Sequence, residues 1–138
     1  MRFDRMAIWR LGLKLALVLG SPWALADTPS SLLNHYKAQA QSEGQDGGDA
    51  ARGQTFFNST HGNEWKCASC HGAVPTVKGE HALTHKVIEP MAPASNPQRF
   101  SDMAKTEKWF RRNCKDVLGR ECSAAEKADV LVWLLTLK

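Results

Sequence analysis

Five consecutive residues of this 138-residue chain, Cys67-Ala68-Ser69-Cys70-His71, combine types and spacing that specify a chemistry. Two thiols three residues apart sit on one turn, with an imidazole directly after the second. That arrangement lets both sulfurs form thioethers with the two vinyl groups on one edge of a porphyrin, which brings the histidine under the iron as proximal ligand. A dithiol redox centre would need a βαβ setting, which the flanking sequence lacks. A zinc site would have to take its fourth ligand from Cys114 or Cys122. One such motif implies one covalent haem c.

The sixth position on the iron decides what such a group does. Downstream of the motif the candidates are Met91, Met103, His81, His85 and Asn113; upstream they are His35 and His61. A permanent thioether from Met91 or Met103 would make a closed electron carrier, and Met91 lies in a stiff proline-flanked loop, Glu89-Pro90-Met91-Ala92-Pro93. The alternative role for Met91 is packing, since a thioether fills irregular apolar gaps. His81 and His85, four apart in a polar segment, suit solvent better than iron. Taken alone, Asn113 suits a helix C-cap. No acid–base pair stands out that would support turnover at an open iron.

Residues 1–26 read as a secretory signal, leaving 27–138 as a single monohaem domain. Arg2, Arg5, Arg10 and Lys14 precede the apolar run Leu15–Gly20, and Ala24-Leu25-Ala26 is a small-x-small cleavage site. The apolar run is too short to span a bilayer. Removing this segment takes away those four basic residues and Asp4, leaving 14 basic against 13 acidic residues. A net charge of +1, with no basic run interleaved with aromatics, excludes nucleic acid as partner. The expected compartment is the periplasm. There, the two cysteines left after haem attachment, Cys114 and Cys122, are expected to pair as a disulfide across a short loop.

The elements that must position this site read as helices, and the fold class is all-α. A helix is expected over 29–42, with Leu32, Leu33, Tyr36 and Ala40 at helical spacing. Asp49 caps a second, with Gly53 one turn from Phe57. Residues 59–96 carry little periodicity and several prolines, so they need a bulky group to pack against. Ser101-Asp102 opens a third helix over roughly 102–114, followed by a loop from Cys114 to Cys122. Ser123 and Glu126 form a capping box for the last helix, with Val130, Leu131, Trp133, Leu134 and Leu137. Trp65, Trp133, Phe56 and Phe57 are expected in the core or haem pocket, and Trp109 shares a helical face with Asn113. Lys105, Lys108, Arg111, Arg112 and Lys115 give the third helix a basic face, partly offset by Glu107 and Asp116.

The run from Ala92 through Asn96-Pro97-Gln98-Arg99-Phe100 to Asp102 resembles the sphaeroides haem protein family. So do Glu107-Lys108-Trp109 through Asn113-Cys114, then Gly119-Arg120-Glu121-Cys122 and Glu126-Lys127-Ala128-Asp129. The cytochrome c double-prime proteins look like a sister group with the same loop and disulfide. The resemblance covers essentially the whole chain after residue 26 and implies a small class I-like cytochrome c fold. It also implies that the residue before the first disulfide cysteine, here Asn113, is the distal ligand, where the sister group has His. Met91 stands where the family usually has Leu. An amide oxygen is a hard, weak donor that suits ferric iron and holds ferrous iron poorly. Reduction should release it and open the iron to O2, NO or CO. The resemblance further implies a dihaem cytochrome c and a membrane cytochrome b as redox partners.

Overall fold

The computed structural model describes residues 26–138, so the export signal lies, but for Ala26, outside the described residues. Helix α1 (Pro29–Ser42) starts where the Thr28 backbone N–H donates to the Ser31 hydroxyl and the Ser31 N–H to the Thr28 hydroxyl, at 2.9 and 3.0 Å. This reciprocal cap satisfies two donors that the first turn would otherwise leave open. Its buried stripe is Leu32, Tyr36 and Ala40, each four residues from the next. Helix α2 (Ala50–Asn58) begins at Asp49, whose carboxylate accepts from the Arg52 backbone N–H. Helix α5 (Ala124–Thr136) begins at the expected Ser123–Glu126 capping box. Both α1 and α2 pack on α5. Val130, Leu131, Trp133 and Leu134 of α5 form one apolar cluster with Leu32, Tyr36 and Phe57.

The crossing of α2 over α5 depends on the missing side chain of Gly53. A Cβ there would land on the Asp129 carbonyl and within 2.9 Å of the Val130 nitrogen. One turn on, Phe57 packs its ring 5.0 Å from that of Trp133. The buried Asp129 carboxylate closes the end of the crossing, accepting from Gly48 N–H, Asp49 N–H and Arg52 Nε at 2.6, 2.7 and 2.8 Å. A buried carboxylate with three donors is satisfied rather than costly.

Helix α4 (Met103–Leu118) is longer than the sequence suggests. Asp102 caps it as expected, but nothing between Cys114 and Leu118 breaks a helix. The chain continues until Gly119 adopts a left-handed conformation at φ 72°. Cys114 therefore belongs to the helix rather than to a loop, and Asn113 lies inside it rather than at its cap. The expected irregular stretch also holds more order than its periodicity shows. Helix α3 (Cys67–His71) lies within it, and strands β1 (Gly79–Glu80) and β2 (Val87–Ile88) pair antiparallel, Gly79 opposite Ile88. Two-residue strands are too short to show alternation. Among the described residues no helix is long and apolar enough to cross a membrane.

Helix α4 does not pack on α5 by a close crossing as α1 and α2 do. Side chains hold it instead. The buried Lys127 ammonium donates to both Glu107 oxygens at 3.0 and 2.9 Å and lies over the Tyr36 and Phe110 rings at 5.4 and 5.9 Å. Burial alone would raise the Glu107 carboxyl. The Lys127 hydrogen bonds, the nearby Tyr36 hydroxyl and the Lys127 and Arg111 charges outweigh it, and the group is held below its ordinary range.

Two outcomes follow. Gly53→Ala is expected to cost about 3 kcal/mol in chemical denaturation, whereas Gln54→Ala on the exposed face should stay within about 0.5 kcal/mol. Because Glu107 ionises more readily folded than unfolded, its contribution is present above the ordinary carboxylate range and lost as pH falls through the lowered folded value. The stability gap between wild type and Glu107→Gln should therefore be widest at neutral pH and close on acidification.

Candidate functional site

Helix α3 is a single turn, and it presents Cys67, Cys70 and His71 together, all half-buried. Cys67 and Cys70 are free, while Cys114 and Cys122 are bonded to each other as expected. The four cysteines thus divide into a thiol pair and a disulfide, which leaves no thiolate from Cys114 or Cys122 for a zinc site. Burial pushes the Cys67 thiol up to about 11. Burial, and then the Arg99 charge, lowers His71 to about 4, so its imidazole is neutral and has a lone pair to offer a metal. Phe57 flanks that ring at 6.1 Å, linking it to the core.

The hairpin β1–β2 clamps this turn. Gly79 lies so close that a Cβ would strike the Cys70 carbonyl, and the Ala82 N–H points at Cys70 Sγ from 3.4 Å. After the hairpin, the Met91 and Ala92 N–H groups both donate to the Pro75 carbonyl at 3.0 Å, four residues beyond His71. Arg99 pins the same loop, donating to the Pro90 and Glu89 carbonyls at 2.9 and 2.6 Å. Burial lowers its pKa, Glu89 working the other way, and the Glu89 carboxylate is paired with Lys78. Sequence reasoning gave Arg99 no role; its only signal was a basic residue inside a proline-rich loop.

The other imidazoles are occupied or turned away. His35 is exposed on α1, and His61 Nε2 is bonded to the Phe56 carbonyl at 2.8 Å. His81 Nδ1 accepts from the Leu83 and Thr84 N–H groups, and His85 Nδ1 pairs with Glu80 at 2.7 Å. Met91 and Met103 are half-buried and pack against the apolar cluster. Asn113 is half-buried in α4, and its carboxamide makes no side-chain hydrogen bond among the described residues. Cys114 beside it is bonded to Cys122, just before α5. Trp109, on the turn before Asn113, is 43% exposed, with the Arg112 guanidinium 5.8 Å from its ring centre.

The donor set fits a covalently attached haem. Two free thiols on one turn suit its vinyl edge, a half-buried neutral imidazole adjoins them, and Arg99 is a half-buried cation that contacts no carboxylate among the described residues. The last is the complement that a carboxylate-bearing ring requires. Among the described residues no cluster of three or more His, Cys, Asp or Glu could hold a separate metal ion.

The family model for a domain of unknown function, DUF1924, matches residues 43–134. The chain is 42% identical over 125 residues to cytochrome c-type protein SHP of Cereibacter sphaeroides, covering 87% of this chain and 93% of that protein. It is 38% identical over 127 residues to cytochrome c'' of Methylophilus methylotrophus, covering 86% and 88%. A structure of oxidised SHP, described as an oxygen-binding cytochrome c, superposes with a TM-score of 0.70 at 42% identity over 79% of this chain and 96% of that one. A solution structure of the Methylophilus protein, described as bearing on haem-ligand detachment, superposes at 0.67 with 34% identity, covering 78% and 92%.

Replacing both bridged cysteines, Cys114→Ser with Cys122→Ser, is expected to cost about 2–3 kcal/mol for a loop this short, read as a lower denaturation midpoint.

Proposed function

The chain belongs to the DUF1924 domain family and to the c-type cytochromes of the SHP and cytochrome c'' kind, which carry covalent haem c, and on that premise we propose that it is a periplasmic electron-transfer cytochrome whose distal site opens to a diatomic gas on reduction. Cys67 and Cys70 hold the haem edge and His71 is the proximal ligand. The haem iron supplies a one-electron couple and, with a position free in the ferrous state, a site for O2, NO or CO. Asn113 offers an amide oxygen, a hard neutral donor that suits the ferric state and is lost in the ferrous one.

The observation that carries this reading is the position of Asn113. It lies within α4 rather than at its cap, its carboxamide is uncommitted, and its neighbour Cys114 is tethered to the start of α5. A helix-capping role is thereby removed. The oxygen binding named for SHP and the ligand detachment named for cytochrome c'' agree with it. Residues 1–26 serve as the export signal, and the redox partners are a dihaem cytochrome c and a membrane cytochrome b. Met91 and Met103 act as packing residues, in keeping with their contacts to the apolar cluster.

Optical spectra of the holoprotein, oxidised and then dithionite-reduced under argon, before and after CO, test this. The expected result is a high-spin ferrous form that shifts on mixing with CO, and Asn113→Ala that is high-spin already when oxidised. A low-spin ferrous form that ignores CO would overturn the reading. Recovery of CO binding in Met91→Leu or Met103→Leu would then identify a permanent methionine ligand.

A further inference from the structure

Helix α4 has a second face, opposite the one it turns to the core. Thr106, Cys114 and Val117 are buried, with Met103 and Phe110 half-buried beside them. Lys105, Lys108, Arg112 and Lys115 are all exposed, and their 3-4-3 spacing puts them in one stripe along the far side. None of the four makes an ion pair among the described residues. The acids that the sequence offered as their counterweight do not serve. Glu107 is turned inward to Lys127 and Asp116 bridges to none of them among the described residues; Glu121, which the sequence did not offer, pairs with Arg111 at 3.5 Å. The exposed ring of Trp109 borders the stripe, with Arg112 over it.

Four like charges on one helix repel, and like-charged neighbours at this spacing destabilise it. The chain after residue 26 is nearly neutral overall, so this concentration is local rather than a property of a basic protein. We propose that the stripe Lys105–Lys108–Arg112–Lys115, with Trp109 at its edge, is the docking surface for an acidic protein that exchanges electrons with the haem. This rests on the electron-transfer reading above and specifies its partner: a protein with carboxylates clustered around its own redox centre. Charge complementarity of this kind speeds encounter and is screened by salt. The flat apolar ring of Trp109, beside the stripe, supplies an uncharged contact next to the charged ones.

Reduced flavodoxin, an acidic one-electron donor, serves as the probe. Its hydroquinone gives up one electron, and the ferric holoprotein takes it. In stopped flow at about 20 mM salt, the Lys108→Glu/Arg112→Glu double variant should be reduced about tenfold more slowly than wild type, with the gap closing near 300 mM. Lys105→Gln/Lys115→Gln should be intermediate. Lys37→Glu, an exposed reversal on α1, should change the rate by less than about twofold. Reduction by dithionite should not distinguish the variants, which verifies that the haem site is intact. Flavodoxin should also shift amide resonances of α4 ahead of those of α1.

Equal rates for the double variant and wild type overturn the proposal, as does an equal loss in Lys37→Glu, which would mean diffuse charge. Binding to phosphatidylglycerol vesicles that the double variant loses, with flavodoxin rates unchanged, would overturn it in favour of a membrane face. CO binding by the dithionite-reduced samples is scored separately. Its failure would remove the gas-binding reading while leaving the docking result to stand on the flavodoxin rates.

Discussion

Helix α4 is fixed to the body of the protein at two points on α5 and its lead-in, and the distal side of the site depends on them. Cys114–Cys122 ties the last third of α4 to the residue preceding the Ser123 cap, and Lys127–Glu107 ties its first half to the second turn of α5. Neither is interchangeable with helix packing. A buried ammonium that loses its carboxylate keeps the desolvation cost without the compensation, so Lys127 needs Glu107 where it is. The disulfide acts through the unfolded chain, removing loop freedom in proportion to a short separation. Together they fix the height and rotation of α4 on α5, and with them the place of Asn113.

The proximal side is built on a different principle. There, backbone approaches backbone: Gly79 against the Cys70 carbonyl, and Met91 and Ala92 against Pro75. Such contacts leave little room for motion around His71. Helix α4, held beside Asn113 by a covalent bridge and farther off by one ion pair, has fewer backbone constraints of that kind. The proposed exchange of one axial ligand would draw on that difference between a rigid turn at His71 and a side-chain-tethered helix at Asn113.

The sequence made some of this legible and hid the rest for physical reasons. Caps are local, so Asp49, Asp102 and Ser123 could be read from the few residues around them. The Cys67–His71 motif was legible because covalent attachment permits so little variation. The end of α4 was misjudged because Cys114 was treated as the beginning of a loop, although a disulfide cysteine has no preference against helix; the terminator is Gly119, five residues on. The β1–β2 hairpin was invisible because its pairing spans two residues per strand. Arg99 and Gly79 meet partners nine or ten residues back, across a segment with no periodicity to mark the contact, and the Lys127–Glu107 pair spans 20 residues. No single element contains both members of that pair, and Glu107 looked instead like a counterweight to the basic residues beside it.

That inward turn of Glu107 separates the two faces of α4. Lys127 draws Glu107 toward the core, while Asp116, exposed and four residues from Arg112, makes no ion pair with the outer stripe among the described residues. The ion pair that anchors the helix and the cationic stripe thus lie on different sides of it. If a partner docks on that face and favours one seating of α4, linkage requires the converse: the state of the distal ligand must alter the partner's affinity by the same factor. A helix held by packing along its whole length would carry such coupling poorly, since packed crossings resist small displacements. A helix held by side chains rather than by a close crossing, with Asn113 next to its covalent tie, is the better carrier.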